Sequence, residues 1–181
     1  MRKSTIKRAC ISLEIIAIIL LSVSCACLSS GGNTENAEYL RIHVRANSNS
    51  EEDQRVKYLV KDGIVEAITP HVAEITSKEE AVRVMTGQKE RLEAIADRIL
   101  SSHGFSYKCE IVVRNEKFPT RVYEGVTLKS GYYDALIVNL GKAEGDNWWC
   151  VVYPPLCFGN SKPVYRSKIA EIIAKFKKRA R

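Results

Sequence analysis

Two hydrophobic periods divide the central part of the chain into strands and helices. Apolar and polar residues alternate in YLRIHVRA (39–46), which is typical of a strand with one buried face. After a polar turn at 47–50, apolar residues recur at helical spacing from Val56 to Ile68. Ser50 precedes three acidic residues, as expected for a helix N-cap followed by an acidic first turn. The pattern predicts a strand and then a helix that ends or kinks at Pro70.

A second helix and a run of strands complete the predicted body. Ser77 and Glu80 form a capping box, and the helix that they open ends near His103-Gly104. From Phe105 onward the period is two, and strands are predicted at 105–114, 121–123, 126–128, 132–140 and 148–153. This order of elements predicts an α+β fold, with a mostly antiparallel sheet and a two-helix hairpin on one face.

The N-terminus has the features of an export signal. A positively charged MRKSTIKR is followed by an apolar stretch whose last 14 residues, Ile15–Leu28, carry no charge. As a helix this stretch spans about 21 Å, less than the roughly 30 Å of a bilayer core. We therefore interpret 1–28 as a signal peptide with a cleavage site before Cys27, a retained anchor and a lipoprotein being the alternatives. A polar linker at 29–38 would lead into a domain at 39–160 that lies outside the cytoplasm, which excludes chemistry dependent on ATP or NADH.

Positive charge is concentrated at the two ends of the chain. The formal net charge is +7, with +3 in residues 1–26 and +7 in residues 162–181, so residues 27–161 carry −3. A nucleic-acid-binding domain would carry its basic residues on the folded body, so we expect no nucleic-acid partner.

The last residues, 161–181, have the pattern of a basic amphipathic helix. Its narrow apolar stripe consists of Ile169, Ile172, Ile173 and Phe176. Such helices lie on anionic membranes, and the residues expected to contact the lipid are Lys175, Lys177, Lys178 and Arg179. The alternatives are a helix docked on the domain with a solvated basic face, or one that docks on an acidic protein.

Cysteine placement separates the leader from the body. Of the six cysteines, Cys109, Cys150 and Cys157 lie in the body, and Cys109 is expected in the core. Cys150 and Cys157 flank Pro154-Pro155, and the extracytoplasmic setting permits a disulfide between them. Two reduced, buried cysteines are the alternative.

The sequence lacks the common catalytic and metal-binding motifs. It contains no G-x-S-x-G, P-loop or H-E-x-x-H motif, and its three histidines have no ligand spacing. We expect no catalytic residue, no metal and no cofactor. A cysteine nucleophile (Cys109, Cys150 or Cys157) paired with His43 is the enzymatic alternative.

Two segments have the composition of recognition surfaces. NWWCVVYPPLCF (147–158) combines tryptophans with tyrosine and phenylalanine, residues that anchor many interfaces, although they also fill small cores. The junction between the first strand and the first helix, 43–54, is rich in polar side chains, which serve either recognition or turn and cap chemistry.

Three stretches resemble the stage II sporulation protein R family of endospore-forming bacteria: LRIHVRANSNSEEDQRVKYLVKD (40–62), FPTRVYEGVTLKSGYYDALIVNLG (118–141) and NWWCVVYPPLCF (147–158). The resemblance covers roughly residues 39–158 and excludes the leader and the basic tail. It implies a protein exported from the forespore into the space between the two membranes. There, family members trigger a membrane-embedded aspartic protease, which processes pro-sigma-E in the mother cell.

We therefore expect a signal that acts by binding. The candidate partner contacts are Arg45, Asn47, Asn49, Asp53, Arg121, Trp148 and Trp149. The first rival hypothesis is a small exported hydrolase acting on the cell wall or on peptides, and the second, based on the tail alone, is a structural protein of the membrane surface.

Overall fold

The computed structural model describes residues 38–123, 125–158 and 163–179. The predicted signal peptide at 1–28, residues 29–37 of the predicted linker at 29–38, and the predicted boundary between domain and tail at 160–161 lie outside the described residues. All described residues belong to one unit of the chain, Glu35–Arg181.

The elements alternate between helical and extended blocks, which confirms the predicted α+β class. In chain order they are β1 (Leu40–Arg45), α1 (Glu51–Val72), α2 (Lys78–Gly87), α3 (Lys89–Ser102), β2 (Cys109–Phe118), β3 (Arg121–Tyr123), β4 (Val126–Leu128), β5 (Gly131–Leu140), β6 (Asn147–Tyr153) and α4 (Pro163–Arg179).

The main sheet places the first strand of the domain among the last ones. Its order is β2-β5-β1-β6, and β3 and β4 form a separate two-stranded hairpin. β1 runs parallel to β5 and antiparallel to β6, and β2 runs antiparallel to β5. Two of the three pairings are therefore antiparallel, as the sequence predicted.

The helical layer contains one more helix than predicted. The second predicted helix divides at Gln88, which caps the C-terminus of α2 and precedes α3. Gly87, a poor helix former, is the last residue of α2, which explains why the chain can break there. Pro70 does not end α1, which continues to Val72.

The main core lies between the sheet and the helices. Ile42 and Val44 of β1 are fully buried, as are Val60 and Ile64 of α1. Gly63 brings α1 close to α3, since a Cβ atom at this position would lie 2.6 Å from Ile99 Cδ1.

The second face of β1 is also covered, so the expectation of a half-buried strand is wrong. Arg41 is 0% exposed and His43 only 5%. The alternation of polar residues correctly places them on the face away from the helices, but Phe118 and the hairpin residue Tyr123 pack over this face.

Helix α4 is docked on the domain through its apolar stripe. Ile169 and Ile173 are buried, and the Phe176 ring centroid lies 5.3 Å from that of Tyr39. Lys168 pairs with Glu74. This is the docked arrangement that the sequence left as an alternative. Within the described ranges, no helix is both long and apolar enough to cross a membrane.

A disulfide joins Cys150 to Cys157, with Cα atoms 6.2 Å apart. Because the ring spans a sequence separation of only 7 residues, the loop-entropy contribution is about 2.5 kcal/mol. We expect dithiothreitol to lower the free energy of unfolding in urea by about this amount. The double variant Cys150→Ala/Cys157→Ala should be insensitive to dithiothreitol. An equal response of both proteins to the reductant would contradict a stabilising role for this bond.

Candidate interaction site

Asp53 organises the junction between β1 and α1 from a buried position. Its Oδ2 accepts hydrogen bonds from Ser48 Oγ at 2.6 Å and Asn47 Nδ2 at 2.8 Å, and its Oδ1 accepts one from Tyr107 OH at 2.6 Å. Burial would raise the pKa of Asp53, but the hydrogen bonds from Ser48, Tyr107 and Asn47 together outweigh it and lower this pKa. Asp53 therefore acts as an internal acceptor.

The two asparagines of the junction bind the loop between β5 and β6. Asn47 Oδ1 accepts a hydrogen bond from the backbone N of Lys142 at 2.9 Å, and Asn49 Oδ1 accepts one from the backbone N of Asp146 at 2.6 Å. Turn and cap chemistry, the alternative left open by the sequence, thus accounts for the contacts of Asn47, Asn49 and Asp53 inside the domain.

Arg45 belongs to a charged cluster on the opposite side of the sheet from the helices. Its Nη2 donates to Glu116 Oε1 at 2.6 Å, and its Nη1 donates to Asn139 Oδ1 at 3.3 Å. His43 Nδ1 lies 2.7 Å from the same Glu116 oxygen, and Arg114 Nη2 donates to Glu116 Oε2 at 2.8 Å. The single carboxylate of Glu116 thus binds three basic side chains.

Burial and hydrogen bonding set the charges in this cluster. Burial lowers the pKa of His43, the Arg45 charge adds to this effect, and the contacts with Glu116 and Asn147 oppose it. Burial would raise the pKa of Glu116, but hydrogen bonds from Arg114 and His43 and the charge of Arg45 outweigh it and lower this pKa. At neutral pH the cluster therefore holds a neutral imidazole, an ionised carboxylate and two guanidinium groups.

Arg121 and Trp149 extend this cluster across the hairpin. The Arg121 guanidinium carbon lies 4.4 Å from the centre of the Trp149 ring, a cation–π geometry. The Trp149 ring in turn lies 5.4 Å from that of His43. Three predicted contacts, Arg45, Arg121 and Trp149, are thus brought together. We call the surface formed by Arg41, His43, Arg45, Arg114, Glu116, Arg121 and Trp149 the arginine face.

Trp148 points to the other side of the sheet. It is opposite Val44 in the pairing of β6 with β1, and Lys61 Nζ lies 5.4 Å from its ring. The alternation of the two tryptophans follows from the strand period of two, but only Trp149 joins the arginine face.

The sequence patterns do not single out three residues of this face, Arg114, Glu116 and the fully buried Arg41. Arg41 Nη2 donates to Tyr123 OH at 2.9 Å, while Nε and Nη1 are buried without a hydrogen-bond partner. Its alternation with His43 and Arg45 signals its face, but no local pattern shows that this face is covered.

The cysteine and histidine of the enzymatic alternative lie on different faces. Cys109 pairs with Leu140 in β5, whereas His43 pairs with Ile137, and odd and even positions of β5 face opposite sides. Cys109 is buried, and burial raises the pKa of its thiol, which disfavours the thiolate needed by a nucleophile. Among the described residues, no group of histidine, cysteine and acidic side chains could hold a metal ion.

Comparisons with known proteins agree with the resemblance. The family model described as stage II sporulation protein R matches residues 36–163. Stage II sporulation protein R of Bacillus subtilis (strain 168) is 37% identical over 119 residues, which are 66% of this chain and 53% of the relative. The match thus spans about half the length of that protein. No solved structure matches this chain. With more than half of its residues matched by the family model, the chain belongs to the stage II sporulation protein R family.

Proposed function

We propose that this protein is an exported sporulation signal that activates a membrane-embedded aspartic protease, which then processes pro-sigma-E in the mother cell. Family membership is the observation that carries the proposal. The protein acts by being recognised after its export from the forespore into the intermembrane space, and it catalyses no reaction itself.

The arginine face is the surface that we assign to the protease. Arg114 and Arg121 are exposed, and Trp149 is half-buried beside Arg121. Arginine and tryptophan are the residue types that most often dominate interface energies. A shift of the protease from 1:99 to 99:1 in favour of its active state requires about 5.5 kcal/mol of differential affinity. A few such anchors can supply this energy, provided that they contact the active state better.

In this proposal the protein makes a second contact besides the one with the protease: helix α4 binds the membrane surface electrostatically. Because Ile169 and Ile173 are buried against the domain, the contact uses the basic residues and does not require insertion of the apolar stripe. Lys175 pairs with Glu171 at 2.7 Å and Arg179 with Glu38 at 2.5 Å, so part of the charge is already balanced. The other basic residues contribute up to about 1 kcal/mol each near an anionic leaflet.

Loss of Arg121 and Trp149 should strongly reduce activation. We expect Arg121→Ala/Trp149→Ala to reduce processing of pro-sigma-E at least tenfold, because the variant loses the two residue types that most often act as anchors at interfaces. The measurement is co-production of the protein, the protease and pro-sigma-E in a non-sporulating host, followed by quantification of mature sigma-E.

Tyr132→Ala serves as the matched control, since it removes an aromatic ring that is 65% exposed but lies outside the arginine face. Its processing should equal that of the unmodified protein. Normal processing by a correctly folded Arg121→Ala/Trp149→Ala variant would show that the protease binds elsewhere.

A further inference from the structure

Arg41 is an anomaly in the part of the chain that the structure describes. It is fully buried, and it is the only described residue with buried side-chain nitrogen or oxygen atoms that lack a hydrogen-bond partner. Buried polar groups without a partner destabilise the folded state. Native structures keep few of them, and each one calls for an explanation.

Aromatic rings surround the guanidinium, and the Tyr123 hydroxyl accepts from Nη2 but not from Nε or Nη1. Its central carbon lies 4.2 Å from the ring centre of Phe118, 4.7 Å from that of Tyr133 and 5.7 Å from that of Tyr123. These contacts favour the positive charge. No described carboxylate forms an ion pair with Arg41, and the nearby Glu116 already binds Arg45 and Arg114. Within the described residues, Arg41 is therefore a buried cation without an ion-pair partner.

A small hairpin covers this site. β3 and β4 are paired over only three residue pairs and are not hydrogen-bonded into the main sheet. Tyr123 contacts Arg41, Arg121 stacks on Trp149, and Leu128 of β4 is buried in the hydrophobic core. A two-stranded hairpin has little stability of its own, so its position depends on such contacts with the rest of the domain.

The burial of Arg41 links anion binding to this hairpin. A carboxylate that binds an arginine through two hydrogen bonds uses either the Nε and Nη2 pair or the Nη1 and Nη2 pair. Arg41 is 0% exposed, and the hairpin residue Tyr123 lies against its guanidinium and accepts a hydrogen bond from Nη2. A carboxylate from outside can therefore reach these nitrogens only if Tyr123 moves away from Arg41.

We propose that Arg41 is the receptor for an aspartate or glutamate side chain of a partner protein, and that its binding lifts the β3–β4 hairpin from the arginine face. Charge complementarity supports an acidic partner, since this side of the sheet and hairpin carries Arg41, Arg45, Arg114 and Arg121 but only Glu110 and Glu116 as described carboxylates. The inference rests on the proposed function only for the identity of the partner, which is then an acidic segment of the protease.

The first test compares Arg41→Met with the unmodified full-length protein. Methionine fills a similar volume without charge, and replacing a buried, poorly paired ion with an apolar side chain is usually neutral or stabilising. We expect an unchanged or higher melting temperature. The binding probe is a fluorescein-labelled peptide of eight glutamates followed by anisotropy, with an eight-glutamine peptide as control. Arg41→Met should bind the acidic peptide at least tenfold more weakly, while the basic tail, present in both proteins, contributes equally.

Tyr123→Phe provides the second, independent test. It keeps the ring but removes the hydroxyl that bonds the hairpin to Arg41, so the affinity for the glutamate peptide should rise severalfold. Equal affinities of the three proteins for this peptide would overturn the proposal. The proposal would also be overturned if Arg41→Met failed to fold and Tyr123→Phe bound the peptide with unchanged affinity. Arg41 would then be a packing residue.

The co-production assay separates this inference from the proposed function. If peptide binding depends on Arg41 but the unmodified protein does not promote processing, the carboxylate site stands and the proposed function fails. If the unmodified protein promotes processing and Arg41→Met does so equally well, with equal peptide affinity, the site fails and the proposed function stands.

Discussion

Gly145→Ala is expected to lower the free energy of unfolding by about 3 kcal/mol, because the new methyl group has no space. A Cβ atom at this position would lie 2.1 Å from the backbone oxygen of Ser48 and 2.9 Å from Ala46 Cβ. The same backbone is held in place by a hydrogen bond of 2.9 Å from Gly145 N to Ala46 O. The obstacle is therefore main chain, which cannot move aside as a flexible side chain would. Urea unfolding monitored by tryptophan fluorescence measures the effect.

Gly87→Ala is the matched control for this substitution. No atom lies within 4 Å of the Cβ that it would add at the end of α2. Since alanine is the better helix former, the variant should be unchanged or more stable by up to about 1 kcal/mol. Equal stability of the two alanine variants would show that the loop after β5 does not pack against the junction as described.

Asp53→Asn is expected to lower the free energy of unfolding at pH 7 by about 3 kcal/mol. The substitution replaces the charged carboxylate that accepts hydrogen bonds from Ser48, Asn47 and Tyr107. Hydrogen bonds to a charged acceptor contribute roughly 1.5–3 kcal/mol each. It also removes an acidic group from the first turn of α1, where it complements the helix dipole.

The loss should depend on pH in a defined direction. The pKa of Asp53 is lowered in the folded protein, so its stabilising contribution is complete above the unfolded-state pKa of about 3.9 and disappears as the pH falls through the lower folded value. The stability difference between the unmodified protein and Asp53→Asn should therefore be largest near neutral pH and shrink below about pH 4.

Glu52→Gln is the control for this effect, because Glu52 lies in the same helical turn but is exposed. Its stability should stay within about 0.5 kcal/mol of the unmodified protein at every pH. If the stability difference between the unmodified protein and Asp53→Asn stayed constant from pH 7 to pH 2, the negative charge of Asp53 would not be what stabilises the junction.

Local patterns predicted the fold class and most strand positions, because alternation reports which residues share a face. They did not predict the break at Gln88, where only the neighbouring Gly87 signals a weak point. They also predicted that Arg41 and His43 lie on an exposed face, whereas both are buried, because Phe118 and the hairpin cover them. Such coverage depends on contacts between distant segments, which no local period contains.

The candidate contacts show the same division between local and long-range information. Asn47, Asn49 and Asp53 lie in one junction, as predicted, but the partners of the two asparagines in the loop after β5 lie almost 100 positions away. That distance explains why local patterns do not distinguish turn and cap chemistry from a recognition surface at this junction. The stacking of Arg121 on Trp149 likewise depends on where the hairpin folds back.

The position of β1 in the sheet has a consequence for the order of folding. β1 starts at Leu40, whereas its two neighbours end at Leu140 and Tyr153. As the ribosome synthesises the chain, β1 must wait for both neighbours until Tyr153 has emerged. Contacts of such long sequence separation form slowly. A chain that folds late remains threadable through a translocation channel, so this topology is compatible with the export that we propose.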